Sequence, residues 1–416
     1  MNIKERKLQM NKFIEKMKEL HNKRILYKLY AIFMLFIPIL ITLDKYIGIV
    51  GTILTGVPCV LGIINVFLYQ RKKRLKYIII LLLFFINIFF STNLDLQVEF
   101  MKTLLIFLTC FDMAQSEEFL KIIKKYFEKY YRFIIISISI ILLLNMGIFL
   151  IQHITSIDNY SDTWNIEVFE GLYSDPHQAA YRCCALIIYI LFLMKARKGN
   201  QIYNIVLLLV AEVLLLMTGA RTPTALGMFL GLMAILCFKE EIKEFSLKYK
   251  KIFVTLLAVG VIAIAIILPQ TAFIQKSLNT KEGNFDNGRS KLIQAEWSYY
   301  MNESIVNKFL GNDIAEIYEI NRKTLYNPIW CHNDIMQVLL QFGIIMLIIY
   351  FETIIQAMVY LLKNQTKFNK AIIILLNLLF LFVAFYNGLF YFPRFVVAIP
   401  IIFTVYKLYN EEKVKK

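Results

Sequence analysis

Charge is what this sequence has least of. Only 18% of its 416 residues are Asp, Glu, Lys or Arg, where a soluble domain carries about 25%. Hydrophobic residues make up 58% and the mean hydropathy is +0.59. The excess is gathered into runs of about 15–24 apolar residues, and roughly 20 residues span a hydrocarbon core. Burying every such run in one soluble core is excluded at this size. The expected fold class is an all-α integral membrane protein. Acidic charge is scarcer still, 30 residues against 46 basic ones, for a net +16. A basic surplus of that kind can mark nucleic-acid binding, but here it sits in short loops between apolar runs, where it reports topology. Nucleic acid is therefore not an expected partner. No internal repeat is visible, which counts against many secondary transporters, whose halves mirror each other.

Twelve transmembrane helices are expected, at roughly 25–43, 46–69, 77–91, 101–114, 133–152, 179–194, 202–219, 222–238, 252–270, 335–353, 371–388 and 391–407. The last two could instead form one re-entrant pair around Tyr391–Arg394. The basic connections RKKRLK (71–76), 116–132, KARKGN (195–200), 239–251 and 363–370, with the tail, all fall on one side. The loop 153–178 on the other side has no Lys or Arg. The positive-inside rule then gives an N-in/C-in protein of the cytoplasmic (inner) membrane. The organisation reads as a basic cytoplasmic segment 1–24, spans one to nine over 25–270, a large external loop 271–334 between spans nine and ten, spans ten to twelve over 335–407, and a tail 408–416. Segment 1–24 is too charged for a cleavable signal peptide. Its Met10, Phe13, Ile14, Met17 and Leu20 recur at helical spacing, which suits either a helix lying on the inner leaflet or a solvated one. Residues 119–132 read as a second amphipathic helix.

Of the six cysteines, Cys59, Cys110, Cys183, Cys184 and Cys237 fall inside expected spans and only Cys331 faces outside, so an external disulfide framework is excluded. His153, Asp175, His177 and His332 share the external side, but none of the usual short zinc spacings joins them, and no metal is expected.

The polar investment lies on that external side. Arg221 occupies a tight hairpin, MTGARTPTALG (217–227). Such an arginine either snorkels to lipid phosphates and helix-end carbonyls or holds an anionic head group, because a guanidinium matches phosphate oxygens bidentately. His332, in WCHNDIMQVLLQFG (330–343), precedes the helix-capping pair Asn333 and Asp334. A histidine there is either plain surface or a neutral imidazole, favoured by the helix dipole and suited to general-base work. Arg289 and Trp297 share helical spacing in the large loop. Trp297, Tyr299, Tyr300, Tyr326 and Trp330 suit either an interfacial aromatic belt or sugar stacking. Within the bilayer, Glu212 and Arg182 are each costly to bury alone, so a Glu212–Arg182 pair is expected.

In their order these features resemble the O-antigen ligase/polymerase family of bacterial membrane glycosyltransferases. The matching segments are GLYSDPHQAAY, TGARTPTALGMFLGL, GRSKLIQAEW and CHNDIMQVLLQFGIIML, all within 170–350. FLGND keeps only Gly311 of the family's glycine pair and lacks its proline; Gln341 stands where an acid is common, and His177 where asparagine is common. The resemblance implies a GT-C-like fold and a metal- and cofactor-independent transfer from an undecaprenyl-diphosphate-linked oligosaccharide at the outer face of the membrane. It makes His332 the catalytic base and Arg221, Arg289 and Arg182 the diphosphate ligands. Asp175, His177, Asn333 and Trp297 become candidate substrate contacts. It implies a repeat-unit polymerase for capsule or O-antigen, with a ligase as the alternative and a polysaccharide flippase as the rival of another class. The implied partners, besides the bilayer, are a chain-length regulator and a flippase.

Overall fold

The computed structural model describes residues 24–155, 160–161, 166–173, 175–237, 247, 268–278, 288–325 and 329–409. Helices dominate, because the apolar runs have neither the alternation nor the turn residues that a strand pattern needs. The first six are α1 (Ile25–Leu43), α2 (Gly48–Tyr69), α3 (Arg74–Phe90), α4 (Leu94–Met113), α5 (Glu117–Lys129) and α6 (Tyr131–Thr155). A two-residue antiparallel pair, Tyr160–Ser161 with Ile166–Glu167, follows. Then come α7 (Pro176–Lys195), α8 (Gln201–Met217) and α9 (Arg221–Leu236). Among its described residues the large loop carries four short helices, α10 (Ala272–Leu278), α11 (Arg289–Asn302), α12 (Ile305–Leu310) and α13 (Ile314–Leu325). The chain closes with α14 (Asp334–Leu362), α15 (Lys367–Tyr386), α16 (Pro393–Val396) and α17 (Ile399–Leu408).

Among the described residues six helices are long and apolar enough to cross a membrane, namely α1, α2, α6, α7, α14 and α15, with α8 and α9 shorter but apolar. The surface of the helices, α3 included, is inverted relative to that of a soluble protein. Phe89 is 78% exposed, and Phe85, Leu143 and Ile140 also point outward, as expected where the surrounding solvent is hydrocarbon and every backbone polar group is satisfied within the helix. The expected spans 77–91 and 101–114 lie on α3 and α4, each running one residue past the end of its helix. Most of the expected span 252–270 and the segment 1–24 lie outside the described residues. The expected single span 391–407 is not one helix. It breaks between α16 and α17, where Pro400 supplies no backbone N–H to continue the first helix.

Helix α7 is the axis of the bundle, buried from Ala179 to Met194. Asp175 starts it as N-cap, its carboxylate accepting from the Gln178 amide at 2.9 Å. The amphipathic α5 sits beneath, capped by Ser116 and turning Phe119, Leu120, Ile123 and Phe127 inward. The helix expected at 119–132 is thus present, beginning two residues and ending three residues earlier.

Helix α14 is unwound at Gly343, whose φ of 77° and ψ of 175° only glycine adopts without strain. Into this gap the FLGND segment docks, with the Asn312 amide donating to the Leu340 carbonyl at 2.8 Å. A Cβ on Gly343 would lie 2.2 Å from the Phe309 oxygen, and one on Gly311 would lie 2.2 Å from the Gln341 oxygen. The two glycines let two backbones touch, and they fix the large loop to the helix that follows His332.

Candidate functional site

The three helices that begin at residues 176, 221 and 334 start at one end of the bundle. The Cys184 thiol donates to the Pro223 carbonyl at 3.2 Å, which sets α7 and α9 side by side, with the start of α9 lying against the middle of α7. At this end the structure gathers Arg289, His332 and His177. Asn333 caps α14, its side-chain oxygen accepting from the amides of Ile335 (2.9 Å) and Met336 (3.1 Å). His332, one residue earlier, is held at a φ of 49°. A left-handed backbone at a residue other than glycine costs about 1–3 kcal/mol and persists only where its surroundings impose it. Here they are the Trp330 ring, 4.6 Å from the imidazole, and the Tyr391 ring, stacked on Trp330 at 4.4 Å.

Burial pushes the His332 imidazole down to about 3, with the charges of Arg289 and His177 acting in the same direction. It is therefore neutral at physiological pH. The neutrality expected from the helix dipole is present, but burial and Arg289 account for it. Arg289 Nη2 donates to Asn387 Oδ1 at 3.3 Å, and Asn387 Nδ2 donates to the Tyr181 hydroxyl at 3.2 Å. Asn387 belongs to a turn that Asp334 holds in place. One Asp334 carboxylate oxygen accepts from the amides of Leu389 (2.7 Å) and Phe390 (3.1 Å) and from the Tyr350 hydroxyl (3.0 Å).

Arg182 is used differently from the expectation. It does not pair with Glu212. Its Nη2 lies 2.5 Å from Asp44, and Arg394 lies 2.6 Å from the same Asp44 oxygen. The Arg182 guanidinium also covers the Tyr173 ring at 4.6 Å. Arg182 thus faces the turn between α1 and α2, while Glu212 lies on α8 against α9, where a Cβ on Gly231 would meet its carboxylate at 2.1 Å. Both Glu212 oxygens are buried with no hydrogen-bond partner in the structure.

Among the remaining candidates, Arg221 is half-buried in the first turn of α9, at the same end as His177. Trp297 is 49% exposed two turns along α11 from Arg289, beside Tyr300 at 5.7 Å. Asp175 is engaged as a helix cap. Cys331, expected to face outside, is buried beside Glu296, because the chain turns inward before α14. The His153 side chain and Tyr326 lie outside the described residues. Among the described residues no three His, Cys, Asp or Glu side chains gather as a metal set.

Searched against models of known families, the curated proteins and the solved structures, the chain matches none. Geometry alone therefore has to carry the reading of this centre. It offers a neutral imidazole fixed beside a guanidinium that is itself held by an amide, all in reach of the end of α7. Such a centre can accept a proton from one reactant while balancing negative charge on another.

Sequence reasoning missed Asn387, Tyr181, Tyr391 and Asp44. It also missed a run of buried amides. The Cys331 amide donates to Gln337 (3.1 Å), Gln337 to Gln341 (2.9 Å), Gln341 to Gln97 (2.8 Å), Gln97 to Asn87 (3.4 Å) and Asn87 to the Leu310 carbonyl (2.8 Å). The one signal was Gln337 and Gln341 at i, i+4 in an otherwise apolar helix, since amides so placed cross-link helices in a medium that supplies no other partner.

Proposed function

We propose that the protein is a membrane glycosyltransferase that joins lipid-diphosphate-linked oligosaccharide repeat units, a polysaccharide polymerase of the capsule or O-antigen type. The observation that carries this reading is the meeting of Arg289 with a neutral, conformationally constrained His332. In this mechanism a sugar hydroxyl of the acceptor attacks the anomeric carbon of the donor. The new carbon–oxygen bond forms as the bond to the diphosphate oxygen breaks, and its electron pair leaves with the lipid diphosphate. His332 takes the hydroxyl proton, and Arg289 with Arg221 balances the departing anion. A single displacement inverts the anomeric configuration.

His332 is a weak base chiefly because it is buried, and Arg289 opposes its protonation further. A bound diphosphate reverses that field, so the donor itself raises the basicity of His332. The base is thereby strengthened only when there is something to react with.

The supporting topology has about twelve spans, with both termini in the cytoplasm and the His332 centre on the outer face. The basic loops 71–76, 195–200 and 363–370 then share the cytoplasmic side. The lipid tail reaches such a centre sideways from the bilayer.

The test is polymer length in cells lacking the gene, complemented with the wild type or with Arg221→Ala, Arg289→Ala or His332→Ala. Single repeat units on the carrier, restored to a ladder only by the wild type, support the polymerase. Long polymer stranded on the carrier makes the protein a ligase that moves finished chains to another acceptor. Repeat units trapped on the cytoplasmic side make it a flippase and overturn both.

A further inference from the structure

A polar cavity of about 420 Å³ opens next to the His332 centre, and the chemistry above does not use it. Its volume is in the range of small-ligand sites. It lies between the α1–α2 turn, α4 and the start of α16, and its polar lining includes Asp44, Thr52, Thr55, Glu99, Lys102 and Arg394. Two acids face two cations, and Asp44 and Arg394 form an ion pair at 2.6 Å. A site for a diphosphate would carry surplus cation; within this lining the charges cancel, and Arg182 behind it is already paired with the same Asp44 oxygen. Threonine hydroxyls supply acceptors. Thr55 and Thr103, the latter also in the lining, donate to the carbonyls of Gly51 (3.2 Å) and Phe100 (2.9 Å), which leaves their oxygen lone pairs for incoming hydroxyl groups.

The cavity also has an aromatic wall. The Phe100 and Tyr391 rings meet edge to face at 4.8 Å. Tyr391 stacks on Trp330 at 4.4 Å, and Trp330 touches His332 at 4.6 Å. Two ring contacts thus separate the cavity from the imidazole. Balanced charge, hydroxyl acceptors and an aromatic face together recognise an uncharged polyhydroxyl ring: polar groups fix its hydroxyls and the rings cover its apolar face.

We propose that this cavity is an acceptor subsite, holding a sugar of the acceptor glycan adjacent to the one that presents its hydroxyl to His332 beyond Tyr391 and Trp330. The inference rests on the glycosyltransferase reading above. It assigns the acceptor glycan, rather than the donor's diphosphate or the donor's own sugar, to the space between α1, α2 and α4.

The experiment uses the full chain in lipid nanodiscs. The donor is the lipid-linked repeat unit extracted from cells lacking the gene, and the acceptor is the oligosaccharide freed from that lipid by mild acid. Glu99→Gln and Thr52→Trp change exposed side chains, so folding is retained and checked by thermal unfolding. Glu99→Gln is expected to raise KM for the free oligosaccharide about tenfold, the loss of one charge-assisted hydrogen bond. Thr52→Trp fills the cavity and raises it further. KM for the lipid-linked donor stays at the wild-type value in both. Unchanged acceptor KM in both variants, with active wild type, overturns the subsite and leaves the polymerase reading standing. A raised donor KM with unchanged acceptor KM also overturns it and assigns the cavity to the donor. Wild-type protein that forms no product sinks the glycosyltransferase reading, and the subsite with it.

Discussion

Asp334 is expected to control the centre without touching a substrate. Its buried carboxylate accepts from two backbone amides, Leu389 and Phe390, and from the Tyr350 hydroxyl. Asp334→Ala leaves three buried donors without an acceptor. Each such loss costs about 1–3 kcal/mol, or about 3–9 kcal/mol together, a large part of the roughly 5–15 kcal/mol that holds a domain folded. The turn released is the one that carries Asn387, the partner of Arg289, and Tyr391, the ring under Trp330. Stability and polymer formation should therefore fall together. Asp334→Asn keeps an oxygen in place and loses only charge assistance, about 1–2 kcal/mol, so it should recover most of both. The assay is thermal unfolding of the full chain in detergent, followed by tryptophan fluorescence, alongside the surface-glycan ladder in complemented cells. An Asp334→Ala protein with the wild-type midpoint and a full ladder would refute the reasoning.

Four further outcomes are expected. With His332 lowered to about 3, the imidazole stays neutral from pH 8 down past pH 5. Its contribution to stability, complete above its ordinary 6.5, declines only as pH falls from there towards 3; kcat/KM should show no limb near 6.5, and Arg289→Gln, by removing an opposing charge, should move the acid limb towards neutral pH. Burial pushes the Glu296 carboxyl up to about 7, so its ionisation opposes folding as pH rises from about 4.5 through 7; Glu296→Gln should raise the unfolding midpoint at pH 8 by the equivalent of about 3 kcal/mol and do little at pH 4. Gly343→Ala combines backbone strain of about 1–3 kcal/mol with a clash against the Phe309 oxygen, and should lower the midpoint and loosen the FLGND segment to limited proteolysis. Asp44→Ala strands the buried Arg182 guanidinium, a change worth about 3–5 kcal/mol in unfolding measurements.

The helices were legible because each apolar run is a local statement about its own solvent. Asn333 was readable as a cap for the same reason: a cap acts within three residues of itself. Partnership between spans was not readable. Arg182 and Glu212 sit in successive spans, yet Arg182 turns to Asp44, far back in the chain, because side chains one residue apart on α7 point about 100° apart and face different neighbours. The link from Arg289 to Asn387 and the Tyr391–Trp330 stack likewise depend on where the turn after α15 docks. The sequence offered a plain span at 391–407 or a re-entrant pair around Tyr391–Arg394, and neither reading says which residues that turn meets where the chain breaks into α16 and α17. Gly343 falls inside the expected span 335–353. Only the approach of FLGND reveals why a side chain is excluded there.

The placement of the six cysteines has a practical consequence. Cys59, Cys110, Cys183, Cys184 and Cys331 are buried and Cys237 is half-buried. The native chain is therefore close to silent towards membrane-impermeant maleimides. A single cysteine introduced at an exposed loop position, one at a time along the chain, would be labelled from one side of an intact cell or not at all. The sidedness of each loop can thus be mapped in the natural background, without first stripping the protein of thiols that its core relies on.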